Sequence, residues 1–267
     1  MKLLVSDLDG TLLEIDHSIS PETLQLVQKI EELGVRFTIA TGRSLSSCRE
    51  YINALRLSTP VILLNGARIF DPVSGKYLVQ HDLSQKAVEI VFQIAVRQKN
   101  VTTAVFIGED VYVYNLGLNA ATYLIRDALT YKSVGDIGAM KSSNVAKIVF
   151  AGYPYDLNTL EIELPQLIGA EAQVVRSEDD LLEILPKNAN KGSALKELSG
   201  MLKIPLNQVI AVGNGMNDLE MIKTAGFGIA VGKADEEVKK SSKLYIQDTG
   251  EKVIRKIYEL LKGEWKN

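Results

Sequence analysis

The chain reads as an α/β protein with a second, α+β module set into it. Three observations carry that reading. Apolar strand-like runs alternate with amphipathic helix-like segments over residues 2–64 and again from residue 191 onward, and βα alternation of this kind builds a parallel sheet with right-handed crossovers. Between about residues 84 and 186 the pattern changes to helices alternating with paired strands. No apolar run reaches the ~18 residues that a bilayer-spanning helix needs.

The elements follow in order. Residues 2–7 form a short apolar strand that ends in carboxylates. Residues 21–33 carry Leu24, Val27, Ile30 and Leu33 at helical spacing. Ser20 is an N-cap, Pro21 a first-turn proline and Gly34 a C-cap. Residues 35–40 are the next strand, 44–55 a helix and 61–64 a third strand. In the inserted region a helix near 85–98 leads to strands at 102–107 and 111–114, separated by Gly108-Glu109-Asp110, a hairpin signal. A helix near 118–129, a strand at 145–150, a helix near 157–168 and strands at 173–176 and 181–185 imply an antiparallel sheet. From Lys191 come a helix, a strand at 208–212, a helix at 218–225, a strand at 226–230, a short helix, a strand at 243–246 and a last helix to residue 261. The expected fold is a Rossmann-like parallel sheet core over 1–83 and 187–267, with an α+β domain inserted at 84–186.

Composition narrows the function. The 267 residues are 46% hydrophobic and 24% charged with a net charge of −3, which excludes a disordered chain, a collagen and a disulfide scaffold. The lone Cys48 forms no internal disulfide and suits a reducing compartment. The first ten residues, MKLLVSDLDG, contain two aspartates and do not resemble a signal peptide, so a cytoplasmic protein without a membrane partner is expected. A mildly acidic balance without a basic tract argues against nucleic acid. His17 and His81 are far apart, with no Cys or Glu at ligand spacing, which disfavours a zinc site and a Ser-His-Asp triad. Acid–base chemistry would fall to carboxylates.

Four polar clusters stand at strand ends. Asp7 and Asp9 follow the first strand in DLDGT. Residues two apart on extended chain point the same way, and open α/β sheets bind ligands at the carboxyl ends of their strands. Two carboxylates aimed into one crevice call for a proton or a hard cation such as Mg²⁺ between them. Alone, the segment serves equally well as an acidic turn. Thr41-Gly42-Arg43 follows the second strand, where a hydroxyl and a glycine amide can donate to an anion; an ordinary helix cap accounts for it as well. Asn190-Lys191-Gly192 opens a helix, and a cation there opposes the macrodipole unless an anion shares the place; a solvated surface lysine is the alternative. Gly213-Asn214-Gly215-Met216-Asn217-Asp218 begins like a dinucleotide fingerprint. Asp218 occupies the third glycine position and would repel a pyrophosphate, so an Asn/Asp ligand set for a metal is the better reading. Together the clusters supply what phosphoryl transfer requires: a nucleophile, a general acid, a cation clamp and a metal site.

DLDGTLL, ATGR, NKGSAL and GNGMND, in that order over nearly the whole chain, resemble the four motifs of the haloacid dehalogenase superfamily, specifically its Cof-type phosphatases. The resemblance implies that Asp7 is the nucleophile and Asp9 the general acid and base. It implies phosphate or substrate binding by Leu8, Thr41, Gly42, Arg43, Asn65, Lys191 and Asn217. Mg²⁺ would be held by Asp7, Asp9, Asn214 and Asp218. Members usually carry aspartate at the Asn214 position, so this chain departs from the pattern and Asp7 and Asp218 become its principal anionic ligands. Asn65-Gly66 serves equally well as a simple turn. The inserted domain corresponds to a cap that selects the leaving group, with Arg68, Tyr112, Tyr114 and Arg126 as contacts that packing would also explain. The second aspartate favours phosphoryl transfer over dehalogenation, since halide leaves without a proton. The implied activity is hydrolysis of small phosphorylated metabolites, sugar phosphates foremost, by a monomer or dimer. A phosphomutase on the same scaffold and a non-catalytic phosphate-binding module are the alternatives.

Overall fold

Leu3–Ser6 (β1) is buried along its whole length, as a strand of a parallel sheet covered on both faces must be. The structure is a computed structural model describing residues 1–140 and 143–263. After β1 come α1 (Pro21–Glu32), β2 (Arg36–Ile39), α2 (Leu45–Ala54), β3 (Val61–Leu63), β4 (Arg68–Asp71) and β5 (Lys76–Gln80). The Ser20 hydroxyl caps α1 by accepting from the Thr23 amide, as its sequence position predicts. The middle of the chain forms α3 (Gln85–Arg97), β6 (Thr102–Ile107), β7 (Asp110–Tyr114), α4 (Leu118–Arg126), β8 (Tyr131–Val134), β9 (Val145–Ala151), α5 (Pro154–Ile168), β10 (Ala172–Glu178) and β11 (Leu181–Pro186). The chain ends with α6 (Lys191–Leu202), β12 (Val209–Gly213), α7 (Leu219–Thr224), β13 (Phe227–Val231), α8 (Glu236–Ser241), β14 (Leu244–Ile246) and α9 (Glu251–Lys262).

Two units result. The first comprises Met1–Gly42, Cys48–Leu78 and the chain from Asn190 onward; the second comprises Arg43–Ser47 and Val79–Ala189. The first is built on a five-stranded sheet in the order β14-β13-β12-β1-β2. Every pairing in it is parallel, with Ser6 opposite both Val212 and Ile39. The second contains a six-stranded sheet in the order β10-β11-β9-β6-β7-β8. Val105, Ile148, Phe150, Leu182 and Ile184 from this sheet pack against Val88, Val91 and Phe92 of α3 and Leu157, Leu160 and Leu164 of α5. Emptying one such position, for example Phe150→Ala, costs about 3–5 kcal/mol.

Several expectations need correction. The third strand does not extend the parallel sheet as a full member. It pairs antiparallel with β4, touching the parallel sheet through a single bridge between Ala40 and Ile62. Left-handed backbone at Leu64, Asn65 and Gly66 reverses the chain there into a small β3-β4-β5 sheet whose last two strands the hydrophobic pattern did not show. The sheet of the second unit is not wholly antiparallel, because β8 runs parallel to β7. Its Tyr-Lys-Ser-Val sequence is largely exposed and shows no buried stripe. Arg68 lies in the first unit, buried in β4 with its guanidinium on the Ala67 carbonyl, so it is no contact from the inserted domain. Tyr112 and Tyr114 pack against the helix-side core of the second unit, and Arg126 is held by Glu178 and Asp127.

Candidate active site

The sheet order assembles the site. Because β1 lies between β12 and β2, the three chains leaving their carboxyl ends emerge side by side. The Asp7 amide donates to the Val212 carbonyl and the Ala40 amide to the Ser6 carbonyl, both at 2.9 Å, which carries the alignment one residue past the strands. Asp7, Thr41 and the loop from Gly213 therefore share one edge. Beyond Asp7 the chain does not stay extended: residues Leu8–Leu12 form an irregular helical turn with Gly10 at φ +69°. A Cβ at Gly10 would stand 2.6 Å from the Asn214 amide nitrogen as well as straining the backbone, so glycine lets the first and last clusters approach.

Helix α6 delivers the cation. The Asn190 side chain caps it by accepting from the Ser193 amide at 2.8 Å. Lys191, the first helical residue, is fully buried, and its Nζ donates to Asp7 Oδ1 at 2.7 Å and to Asp218 Oδ1 at 2.6 Å. The opposite oxygen of Asp218 accepts from the amides of Asn214 and Gly215 at 2.9 and 3.0 Å. A fully buried ammonium with two charged acceptors is the arrangement that makes burial tolerable. Burial pulls its proton affinity down, but Asp218 and Asp7 more than offset that and hold Lys191 above its ordinary value. Asp7 moves the other way: burial and the nearby Asp218 push it up to about 7, Asp9 adds to this, and Lys191 opposes it.

The structure does not treat the expected residues alike. Asp9 is half-exposed, and its Oδ1 lies 3.2 Å from His17 Nδ1 rather than beside the lysine. Asn65 is buried at φ +53°, and its Oδ1 accepts from Asn217 Nδ2 at 3.1 Å, which joins clusters 152 residues apart. A Cβ at Gly42 would crowd this Asn65 amide. Thr41 is buried, its amide donating to Ile62 and its carbonyl accepting from the Asn65 amide. The Leu8 side chain lies in the core, so only its backbone faces the chemistry. Arg43 belongs to the second unit, with its guanidinium 4.0 Å from Asp127. His17 is the residue that sequence reasoning missed. The signal for it in the sequence is its place on the short loop following the aspartates.

Among the described residues no three His, Cys, Asp or Glu side chains are grouped as a ready metal site. The chemistry of the donors nevertheless fits a hard divalent cation. Asp7, Asp9 and Asp218 bring three carboxylates against one ammonium; burial first, and then the charges of Asp218 and Asp9, drive Asp7 upward. The carboxylates of Asp7 and Asp9 and the amide oxygen of Asn214 are hard oxygen donors, which suit Mg²⁺ better than a softer metal. Asn214 is half-buried, and its Oδ1 takes only a long contact, 3.3 Å, from the Thr11 hydroxyl. Asp218, by contrast, is fully buried and already accepts three hydrogen bonds, from Lys191 Nζ and from the amides of Asn214 and Gly215.

Comparison with known proteins gives the family. The family model of haloacid dehalogenase-like hydrolases matches residues 4–257, and the chain belongs to that family. It is a hydrolase of the phosphatase class. An HMP-PP phosphatase of Escherichia coli O6:H1 is 32% identical over 235 residues, covering 87% of this chain and 85% of that protein. Among solved structures, a haloacid dehalogenase-like hydrolase from Bacteroides thetaiotaomicron superposes with a TM-score of 0.86 at 28% identity, over 96% of this chain and 99% of that one. A sugar phosphatase of subclass IIB shares the fold, with a TM-score of 0.80 at 20% identity over 98% of both chains.

Proposed function

We propose that this protein is a Mg²⁺-dependent phosphatase of small phosphorylated metabolites, sugar phosphates foremost, acting through an aspartyl-phosphate. The observation that carries the reading is the buried contact of Asp7 with Lys191, itself braced by Asp218, at the end of the central strand. A carboxylate beside a fixed ammonium has both a nucleophilic oxygen and a counter-charge for the phosphoryl group it attacks. The 32% identity to a protein named a phosphatase supports the same class.

In the first step an Asp7 oxygen forms a bond to phosphorus as the ester P–O bond breaks, and Asp9 gives its proton to the departing alkoxide. In the second, water attacks phosphorus, Asp9 takes a proton from it, and the bond to Asp7 breaks. General acid–base help of this kind is worth ~10²–10⁴-fold; the greater part of the acceleration comes from charge stabilisation. Lys191 holds one oxygen of Asp7 and presents its charge to the phosphoryl group, while Asn217, tied to Asn65, lines the same edge. Mg²⁺ held by Asp7, the Asp9 main-chain carbonyl and Asn214 would neutralise charge on Asp7 and on the phosphoryl oxygens. The inserted α+β unit, read from the sequence as residues 84–186, chooses among leaving groups.

A panel of phosphorylated metabolites assayed for released phosphate, with Mg²⁺ and with a chelator, tests the proposal. Free phosphate that depends on Mg²⁺, with acid-stable label trapped on Asp7, supports it. An isomeric phosphate as the product would establish a phosphomutase, and no turnover across the panel would leave a binding module.

A further inference from the structure

His17 sits in a conformation that the local sequence does not favour. Its φ is +61°, in the left-handed region that costs a non-glycine residue about 1–2 kcal/mol. Five hydrogen bonds brace this loop, two of them to His17 itself. The His17 amide donates to the Glu14 carbonyl at 2.9 Å, and the Glu14 amide closes the loop by donating to the Ser18 carbonyl at 3.0 Å. Asp16 accepts from the Ser18 amide and hydroxyl. Tyr51, from α2, donates its hydroxyl to the His17 carbonyl at 2.9 Å. The result of this bracing is a side-chain contact, Nδ1 to Asp9 Oδ1 at 3.2 Å, with both side chains 40% exposed. Backbone strain that the surroundings over-determine is a mark of a functional position.

We propose that His17 is the positioning residue of the general acid and base, holding the Asp9 carboxyl in the rotamer from which it reaches the leaving group. The inference rests on the assignment of Asp9 made above. An imidazole suits this task in both half-reactions, because a ring nitrogen donates to a carboxylate or accepts from a carboxyl according to its tautomer. His17 also lines a cleft of about 870 Å³ with Gly10, Asn214, Lys233 and Tyr245, which keeps the ring next to the metal-side loop rather than packed in the core.

The test uses the full-length protein and two esters, an alkyl phosphate with a poor leaving group and an aryl phosphate with a good one. His17→Ala is expected to lower kcat for the alkyl ester about 10- to 100-fold, the size of a misplaced catalytic group. The KM should stay near that of the wild type, and single-turnover phosphorylation by the aryl ester should be much less affected. His17→Asn, whose amide falls where Nδ1 stood, is expected to recover part of the loss; His17→Gln, whose amide falls farther out, is not. Tyr51→Phe, which loosens the tether and leaves the ring intact, should reproduce the leaving-group pattern more weakly. The contact itself is read without turnover. With two histidines in the chain, His81→Gln assigns the imidazole nitrogen resonances, and Asp9→Asn should shift those of His17 alone. Equal losses on both esters, a kcat unchanged in His17→Ala, or His17 resonances that ignore Asp9→Asn would each overturn the proposal. Wild-type protein inert toward both esters while His17 still responds to Asp9→Asn would instead reject the phosphatase reading and keep the contact.

Discussion

Asp218→Asn separates an anchor from a metal ligand. The native carboxylate is fully buried and accepts three hydrogen bonds, from Lys191 Nζ and from the amides of Asn214 and Gly215. An asparagine retains one acceptor oxygen and turns an NH₂ group toward a donor, so at least one of those bonds becomes a donor–donor clash. Removing one partner of a buried ion pair costs about 3–5 kcal/mol. Asp7 still faces Lys191 at 2.7 Å, so the lower end, about 3 kcal/mol, applies. For a chain of this size that corresponds to roughly 6–12 °C in Tm. Lys191 would also lose the brace that aims it at Asp7, and kcat is expected to fall ~10²-fold, the usual penalty for a displaced catalytic group. Chemical denaturation followed by circular dichroism reads the stability, and a Mg²⁺ titration of activity reads the metal. An anchor predicts lost stability and kcat, with the half-maximal Mg²⁺ concentration little changed. A variant of wild-type stability whose Mg²⁺ requirement alone rises sharply would refute this assignment and restore Asp218 as a ligand.

Other expectations concern its neighbours. Asp7→Asn should abolish steady-state turnover while the circular dichroism spectrum is kept; turnover well above background in a clean preparation would end the covalent mechanism. The same variant should be more stable than the metal-free wild type above neutrality. Asp7 is raised from 3.8 to about 7 in the fold, so it is neutral in both states at low pH and costs nothing there. The wild type then loses stability relative to the variant as pH climbs through that window, and the difference levels off above it; denaturation in a chelator from pH 4 to 8 checks the sign. Asp9→Asn should slow alkyl esters far more than aryl esters in single-turnover phosphorylation. Asn214→Asp should lower the half-maximal Mg²⁺ concentration, because a carboxylate binds a hard cation better than a neutral amide oxygen; an unchanged titration would remove Asn214 from the metal site.

What the sequence by itself determined is whatever short-range chemistry encodes. Ser20, Pro21 and Asn190 announce their helices because a cap bonds within three residues. The buried runs of β1 and β12 declare a covered parallel sheet because both faces are apolar. DLDGT and GNGMND could be placed at strand ends for the same reason, and the order of the four clusters indicated phosphoryl transfer. Only the tertiary structure decided how those groups divide the work. Asp7 and Lys191 stand 184 residues apart, and whether they touch depends on β1 lying beside β12, a fact of sheet order that no local pattern contains. Asp218 and Asp9 are both aspartates in strand-end loops, yet one is sealed against an ammonium and two amides while the other is half-exposed beside an imidazole. Burial and partner set the two carboxylates apart, and the ammonium that reaches Asp218 comes from a different element of the fold. The same holds where β3 turns back at Leu64, where Arg43 faces Asp127, and where a left-handed His17 reaches Asp9: each is fixed by contacts across the fold that compete with, and override, the preference of the residue itself.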